Sequence, residues 1–282
     1  MKFNPAALLR TTLIGLLFFA TVCHAQQTLP ERELKRAVER ERVLLKATAD
    51  NPMGIDRENV QMQLQEVVQD YERIIRDSPE FVPAYVAYGL LLNKVGERKR
   101  ATEIFLTANK LDSRIAVVKN QLGNYCAEEG DFQDAMEYYL AAIALEPNEP
   151  LYHYQLGTLL HEYRDQFVIA GRLDMSAVKS QSATAFRKAV ELAPDSIPYA
   201  YRQAESYYDA ENPDWSVALA AWHKLRERVV PGIEQQTIDL HIANILIKQE
   251  KFADAHAVLS GVTDPSLSEN RQTLVAQMPE TP

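Results

Sequence analysis

Basic charge, glycine, cysteine and long apolar runs are all scarce in this chain. Its 282 residues carry 30 Lys and Arg against 39 Asp and Glu, a formal charge of −9, with no long basic run. The electrostatic footprint that nucleic acid demands is missing, so no nucleic-acid partner is expected. Only 10 Gly are present, too few for a protein built on many tight hairpins. What is abundant instead is the set of helix formers Ala, Leu, Glu, Gln, Lys and Arg, and the expected class is all-α. Of the 2 Cys, one lies in the N-terminal segment described next. The other, Cys126, then has no internal partner, so packing rather than disulfides must hold the fold.

The longest apolar run is also short. Lys2 and Arg10 precede TTLIGLLFFATV (11–22), and Cys23-His24-Ala25 ends the run with small residues at the −3 and −1 positions. About 12 apolar residues fall well below the roughly 20 a bilayer core needs. The pattern is that of a secretory signal peptide over residues 1–25, with cleavage expected after Ala25. Lipidation of Cys23 is the alternative, and bulky Val22 fits it poorly. No later segment is apolar enough to span a membrane. No membrane insertion is therefore expected after cleavage, and the mature chain is expected in the periplasm or outside the cell.

Three of the scarce glycines carry the organisation. Gly89, Gly123 and Gly157 are spaced by 34 and 34, each in a helical, apolar-periodic setting. A Gly inside a helix costs about 1 kcal/mol relative to Ala, so its repetition asks for a packing reason. Sixteen residues after the first two come Phe105 and Tyr139, each with Ala four residues before (Ala101, Ala135) and three after (Ala108, Ala142). Gly96 and Gly130 fall between the halves, and Pro147 and Pro194 close units.

These residues resemble the tetratricopeptide repeat, a 34-residue helix–turn–helix unit. The match is fullest over 116–149, at Leu122, Gly123, Gly130, Ala135, Tyr139, Ala142 and Pro147. The resemblance implies a right-handed superhelical solenoid. In it, small residues let the helix axes approach and the aromatic of the second helix fills the gap. Units are expected near 82–115, 116–149, 150–195, 196–231 and 233–262. Residues 26–79 would form an atypical N-terminal helix pair, and 263–282 a C-terminal tail with a short helix. The third unit departs from the pattern, because 29 residues rather than 16 separate Gly157 from Phe186. The extra residues are apolar, so the first helix is expected to run on to about Gln166, with a turn near Gly171 and a new helix from Asp174. Such an extension is either packing against a neighbouring unit or a protrusion for a partner.

Little in the chain points to chemistry. No nucleophile motif, Gly-rich phosphate loop or zinc spacing is present, so no catalytic residue, cofactor or metal is expected. His153 and His161 would lie about 12 Å apart along one helix, too far to share a metal unaided. The candidate working surface is the concave face implied by the resemblance, where first-helix positions 2, 5, 9 and 12 point away from the second helix. It collects Asn120 and Asn124, then Tyr154, Thr158 and His161, then Tyr201, Glu205 and Tyr208 with Arg202 beside them, then Asn244. Amides can bond an extended backbone, and Tyr offers large contact area at low entropy cost. Some members of the family clamp a C-terminal carboxylate with Lys at position 5 and Asn at position 9. Here Asn124 fits, but position 5 carries Val86, Asn120, Tyr154, Tyr201 and Leu240, so that clamp is not expected. The leading expectation is a non-enzymatic scaffold or adaptor of the cell envelope that binds a peptide or helix of a protein partner. The alternatives are a glycan or small-molecule binder using the same Tyr-rich face, and a hydrolase with an unrecognised site.

Overall fold

The computed structural model describes residues 27–50 and 56–279. The expected signal peptide, with Cys23 and Ala25, lies outside the described residues. Every regular element among the described residues is helical. The chain divides into two compact units, Met1–Tyr125 and Cys126–Pro282.

The N-terminal unit begins with the pair α1 (Leu29–Asp50) and α2 (Arg57–Asp77), followed by α3 (Val82–Lys94) and α4 (Arg98–Leu111). The Asp56 side chain starts α2 by accepting from the backbone N–H groups of Glu58 and Asn59, satisfying donors that the first turn leaves free. Pro83 sits in the first turn of α3, where its missing N–H is harmless. A polar relay, buried at Tyr71 and Glu41 and open at Lys94, joins α1, α2 and α3. The Tyr71 hydroxyl donates to Glu41 at 2.7 Å, and Lys94 Nζ meets the other oxygen of that carboxylate at 2.8 Å. Tyr71 also stacks on Tyr88 at 5.7 Å. Helix α5 (Ala116–Glu128) crosses the boundary between the two units.

The C-terminal unit continues with α6 (Phe132–Leu145), α7 (Pro150–Glu162), α8 (Arg164–Ile169) and α9 (Met175–Leu192). Next come α10 (Ile197–Ser206), a 3-10 turn (Tyr207–Asp209), α11 (Trp215–Arg226), α12 (Ile233–Lys248), α13 (Phe252–Ser260) and α14 (Ser268–Val275). Successive pairs repeat one packing formula. The second-helix aromatics Phe105, Tyr139, Phe186 and Trp222 are all at most 2% exposed. The residue four before each is small and buried: Ala101, Ala135, Ser182 and Ala218. Where the small residue is Ser182, its hydroxyl bonds the Gly157 carbonyl at 2.9 Å, so no buried polar atom is left over there.

The glycine puzzle resolves in the same contacts. A Cβ on Gly89 would stand 2.6 Å from the Phe105 ring, and one on Gly157 would stand 2.8 Å from Phe186. The lost helix propensity is the cost of seating the aromatic against the helix backbone. The turn glycines have a different reason. Gly96 and Gly130 hold φ of +85° and +82°. Each is followed by a residue whose N–H reaches back to the carbonyl five earlier, Glu97 to Leu92 and Asp131 to Cys126. This is the left-handed helix stop for which Gly is suited.

The third pair shows where its extra residues go. The first helix breaks at Tyr163 and resumes as α8 to Ile169, three residues beyond the expected Gln166. Gly171 (φ +65°) turns the chain, and the Asp174 side chain caps α9 through the Ala177 N–H. The extension is packed rather than free. Phe167 is 1% exposed and meets Phe132 edge-on at 4.7 Å. The Tyr163 hydroxyl donates to the Ala127 carbonyl at 2.6 Å, and Arg172 reaches Gln133 at 3.0 Å. Its tip is open: Ile169 stands in solvent at 85% exposure, beside exposed Ala170 and Gly171.

Candidate partner-binding face

Within the C-terminal unit, α7, α10 and α12 are the first helices of three consecutive pairs. Pro150 and Pro198 fix the entry to α7 and α10, with Glu149 and Ser196 accepting from Leu151 and Tyr199 N–H groups. The inward sides are filled by Gly157, Leu159 and Leu160 on α7, by Ala204 on α10, and by Ile238, Ile242 and Ala243 on α12. That leaves the other sides to polar and aromatic residues, and these touch one another from helix to helix.

At the centre of one end lies His241 of α12. Its ring is parallel to Trp222, 4.1 Å away at 3°. Tyr201 Oη is 3.1 Å from Nε2, and Tyr208 Oη is 3.3 Å from both Nδ1 and the His241 carbonyl oxygen. Burial pulls the imidazole down to about 4, so it is neutral at neutral pH, with one ring nitrogen donating and the other accepting. Burial likewise pushes the Tyr201 hydroxyl up to about 12, helped by the Glu205 charge, and raises that of Tyr208. Asn244 lies beside Tyr208. Both phenols are therefore neutral bonding groups rather than acids.

Toward α7 the face becomes ionic. Arg202 donates to Glu205 at 3.0 Å, stands 3.6 Å from Glu162 and lies beside the Tyr154 hydroxyl. Tyr154 packs between Phe186 at 6.0 Å and Tyr199 at 4.8 Å. One turn on, Asp209 holds His161 at 3.2 Å and Arg164 at 3.3 Å. Thr158 Oγ1 is buried with no hydrogen-bond partner.

Eight of the ten expected residues thus fall on the α7, α10 and α12 elements and the adjoining 3-10 turn: Tyr154, Thr158, His161, Tyr201, Arg202, Glu205, Tyr208 and Asn244. Asn124 is half-buried on α5. Asn120, also on α5, is 1% exposed with Oδ1 unbonded, so it offers nothing at an open surface. Sequence reasoning missed His241, Glu162, Arg164 and Asp209. His241 was legible in principle, because it shares repeat position 6 with Arg202, just outside the stripe counted from positions 2, 5, 9 and 12.

Among the described residues no group of three or more His, Cys, Asp or Glu side chains is placed to hold a metal. The Cys126 thiol is pushed up to about 11 by burial, with Asp131 and Asp134 adding to it, so it stays protonated and a poor nucleophile. No helix among the described residues is long and apolar enough to cross a membrane.

Comparison with known proteins places this architecture. The TPR repeat family model matches residues 123–162. No curated protein matches the chain. Among solved structures, YrrB, described as a TPR protein with an unusual peptide-binding site, is similar over 73% of this chain and 97% of its own, with 17% identity and a TM-score of 0.59. PilW, a type IV pilus biogenesis factor, covers 88% of this chain and 99% of its own at 16% identity and a TM-score of 0.57. PilF of Pseudomonas aeruginosa covers 86% and 99% at 16% identity and 0.55. At such identities these likenesses speak for the fold alone. With the 34-residue glycine spacing, the aromatic rings seated on Gly89 and Gly157, and the family match over 123–162, the conclusion is that this chain carries a tetratricopeptide repeat over those residues and has the fold of tetratricopeptide-repeat proteins.

Proposed function

We propose that this chain is a non-enzymatic scaffold that binds a peptide or helix of a protein partner, and that it does so on the α7–α10–α12 face. The observation that carries the reading is the continuity of that face. Tyr154, Arg202, Glu205, Tyr201, Tyr208 and Asn244 form one polar, aromatic strip across three first helices. Half-buried Tyr and Arg side chains held by their neighbours lose little freedom when a partner arrives, and such residues dominate binding energy at interfaces. The peptide-binding site described for YrrB, a protein of similar fold, supports an occupant of that size. The reading includes export to the cell envelope, on the strength of the N-terminal signal pattern.

Affinity capture from a cell-envelope extract tests it, comparing the wild-type chain with Arg202→Ala/His161→Ala. Both substitutions remove half-buried face groups and leave the core aromatics in place. Retention of a defined protein set by the wild type, and its loss in the double variant, is the expected result. An unchanged set would sink the assignment of this face. Export is checked separately by N-terminal sequencing of the mature protein, with a start at Gln26 expected.

A further inference from the structure

Charge is distributed very unevenly along this chain. Residues 126–282 hold 24 Asp and Glu against 12 Lys and Arg, a net −12, whereas residues 1–125 hold 15 against 18, a net +3. The binding face lies wholly in the acidic unit. Within the face itself Glu162, Glu205, Asp209 and Glu234 stand against Arg164, Arg202 and Lys248. The face is nearly balanced locally, so the unit around it sets the sign of the field that an approaching segment meets.

The face also shows which side-chain chemistry it accommodates, because the protein fills it with its own cations. Arg202 occupies a site made of two carboxylates and a phenol: Glu205 at 3.0 Å, Glu162 at 3.6 Å and Tyr154 alongside. Lys248 sits over the Trp215 ring at 5.5 Å, and Trp215 in turn packs against Tyr208 at 5.9 Å. Carboxylate forks and electron-rich ring faces are what guanidinium and ammonium groups seek. Glu162, with 54% of its side chain exposed, has room for a second cation beside Arg202.

We infer that the partner segment is basic: an extended or helical peptide whose Lys or Arg side chains seat on Glu162 and Glu205 and against the Tyr154–Tyr199 pair. This rests on the function proposed above and adds the chemical class of the occupant. The opposite expectation, an acidic segment drawn to Arg202, has to overcome a unit charge of −12 and displace two carboxylates already in place.

The test is selection of a random dodecapeptide display library on the full chain, followed by anisotropy titration of the tightest labelled peptide. The expected outcome is at least a twofold enrichment of Lys and Arg over the unselected library. The affinity should then fall about tenfold in Glu162→Gln/Glu205→Gln, and by less than twofold in Asp254→Asn/Glu269→Gln, which removes equal charge from α13 and α14. Equal weakening by both pairs would reduce the effect to bulk charge and overturn the inference. Peptides enriched in Asp and Glu that lose binding in Arg202→Ala would overturn the basic class while leaving the face in place as the binding site. Peptides indifferent to every one of these substitutions, or no peptides at all, would overturn the inference and the face together. A salt-sensitive dimer of the chain alone that Glu162→Gln/Glu205→Gln dissolves would make a second copy the occupant, which also overturns it.

Discussion

The Phe105 ring lies so close to the backbone of Gly89 that a Cβ there would stand 2.6 Å from it. Phe105 is 1% exposed, walled by α3 and α4, so the ring has little space in which to retreat. Gly89→Ala gains about 1 kcal/mol of helix propensity and loses about 1–3 kcal/mol to overpacking. A net destabilisation of about 1 kcal/mol is expected in urea unfolding. The decisive measurement is the cycle with Phe105→Leu. Once the ring is shortened, Ala at 89 should become neutral or stabilising, giving a coupling above about 1 kcal/mol. Additive effects would show that the contact does not decide the residue.

Glu250 stands at the turn after α12 with φ +60°, where the corresponding turns after α3 and α5 have Gly96 and Gly130. Its hydrogen bonding is the same, with the Lys251 N–H reaching the Leu246 carbonyl at 2.8 Å. The left-handed conformation costs a non-Gly residue about 1–2 kcal/mol, partly offset by the greater backbone entropy Gly loses on folding. Glu250→Gly should therefore raise stability by about 0.5–1 kcal/mol, seen as a higher denaturant midpoint with an unchanged m-value. A lower midpoint would mean that the Glu250 side chain holds the turn by some other means.

Gly89, Phe105 and the 34-residue spacing made the fold legible, because one packing formula is written out several times and repetition separates it from chance. The face was legible only in part. Helical periodicity put Tyr201, Tyr208 and Asn244 on a common side, but it counts positions on one helix at a time. His241 joins those residues from a neighbouring position, through Trp222 on yet another helix, and no single-helix wheel shows that contact. Asp209 and Arg164 lie in a 3-10 turn and in the extension, where the repeat register no longer applies. Asn120 failed in the opposite way. Its wheel position is right for a surface, yet it is 1% exposed, and burial depends on neighbours that a single repeat does not name.

The extension of the third unit yields a prediction that separates its two ends. Phe167 is buried among Phe132, Tyr163 and the α7 and α9 side chains, whereas Ile169 is 85% exposed. Phe167→Ala should cost about 3–5 kcal/mol, the range for deleting a core aromatic. Ile169→Ser should fall within about 0.5 kcal/mol of wild type, as surface changes do. Thermal unfolding of the two variants side by side checks this. Equal, small effects would show that α8 is an appendage and not part of the core.

His241 gives the chain a dependence on acid. Its folded value near 4 lies below the ordinary 6.5 because the ring is shielded by Trp222, Tyr201 and Tyr208. The unfolded chain therefore takes up a proton as pH falls through about 6.5, while the folded chain resists until about 4. Stability is full above pH 6.5, declines between 6.5 and 4, and declines no further on this account below 4. The shift corresponds to at most about 3 kcal/mol, and stacking of an imidazolium on the Trp222 ring would return some of it. His241→Phe keeps the stack and removes the titration. Unfolding free energies at pH 7.5 and 5.0 should differ by about 1–2 kcal/mol more in the wild type than in the variant. An identical pH slope in the two proteins would show that His241 takes its proton in the folded state as readily as in the unfolded one.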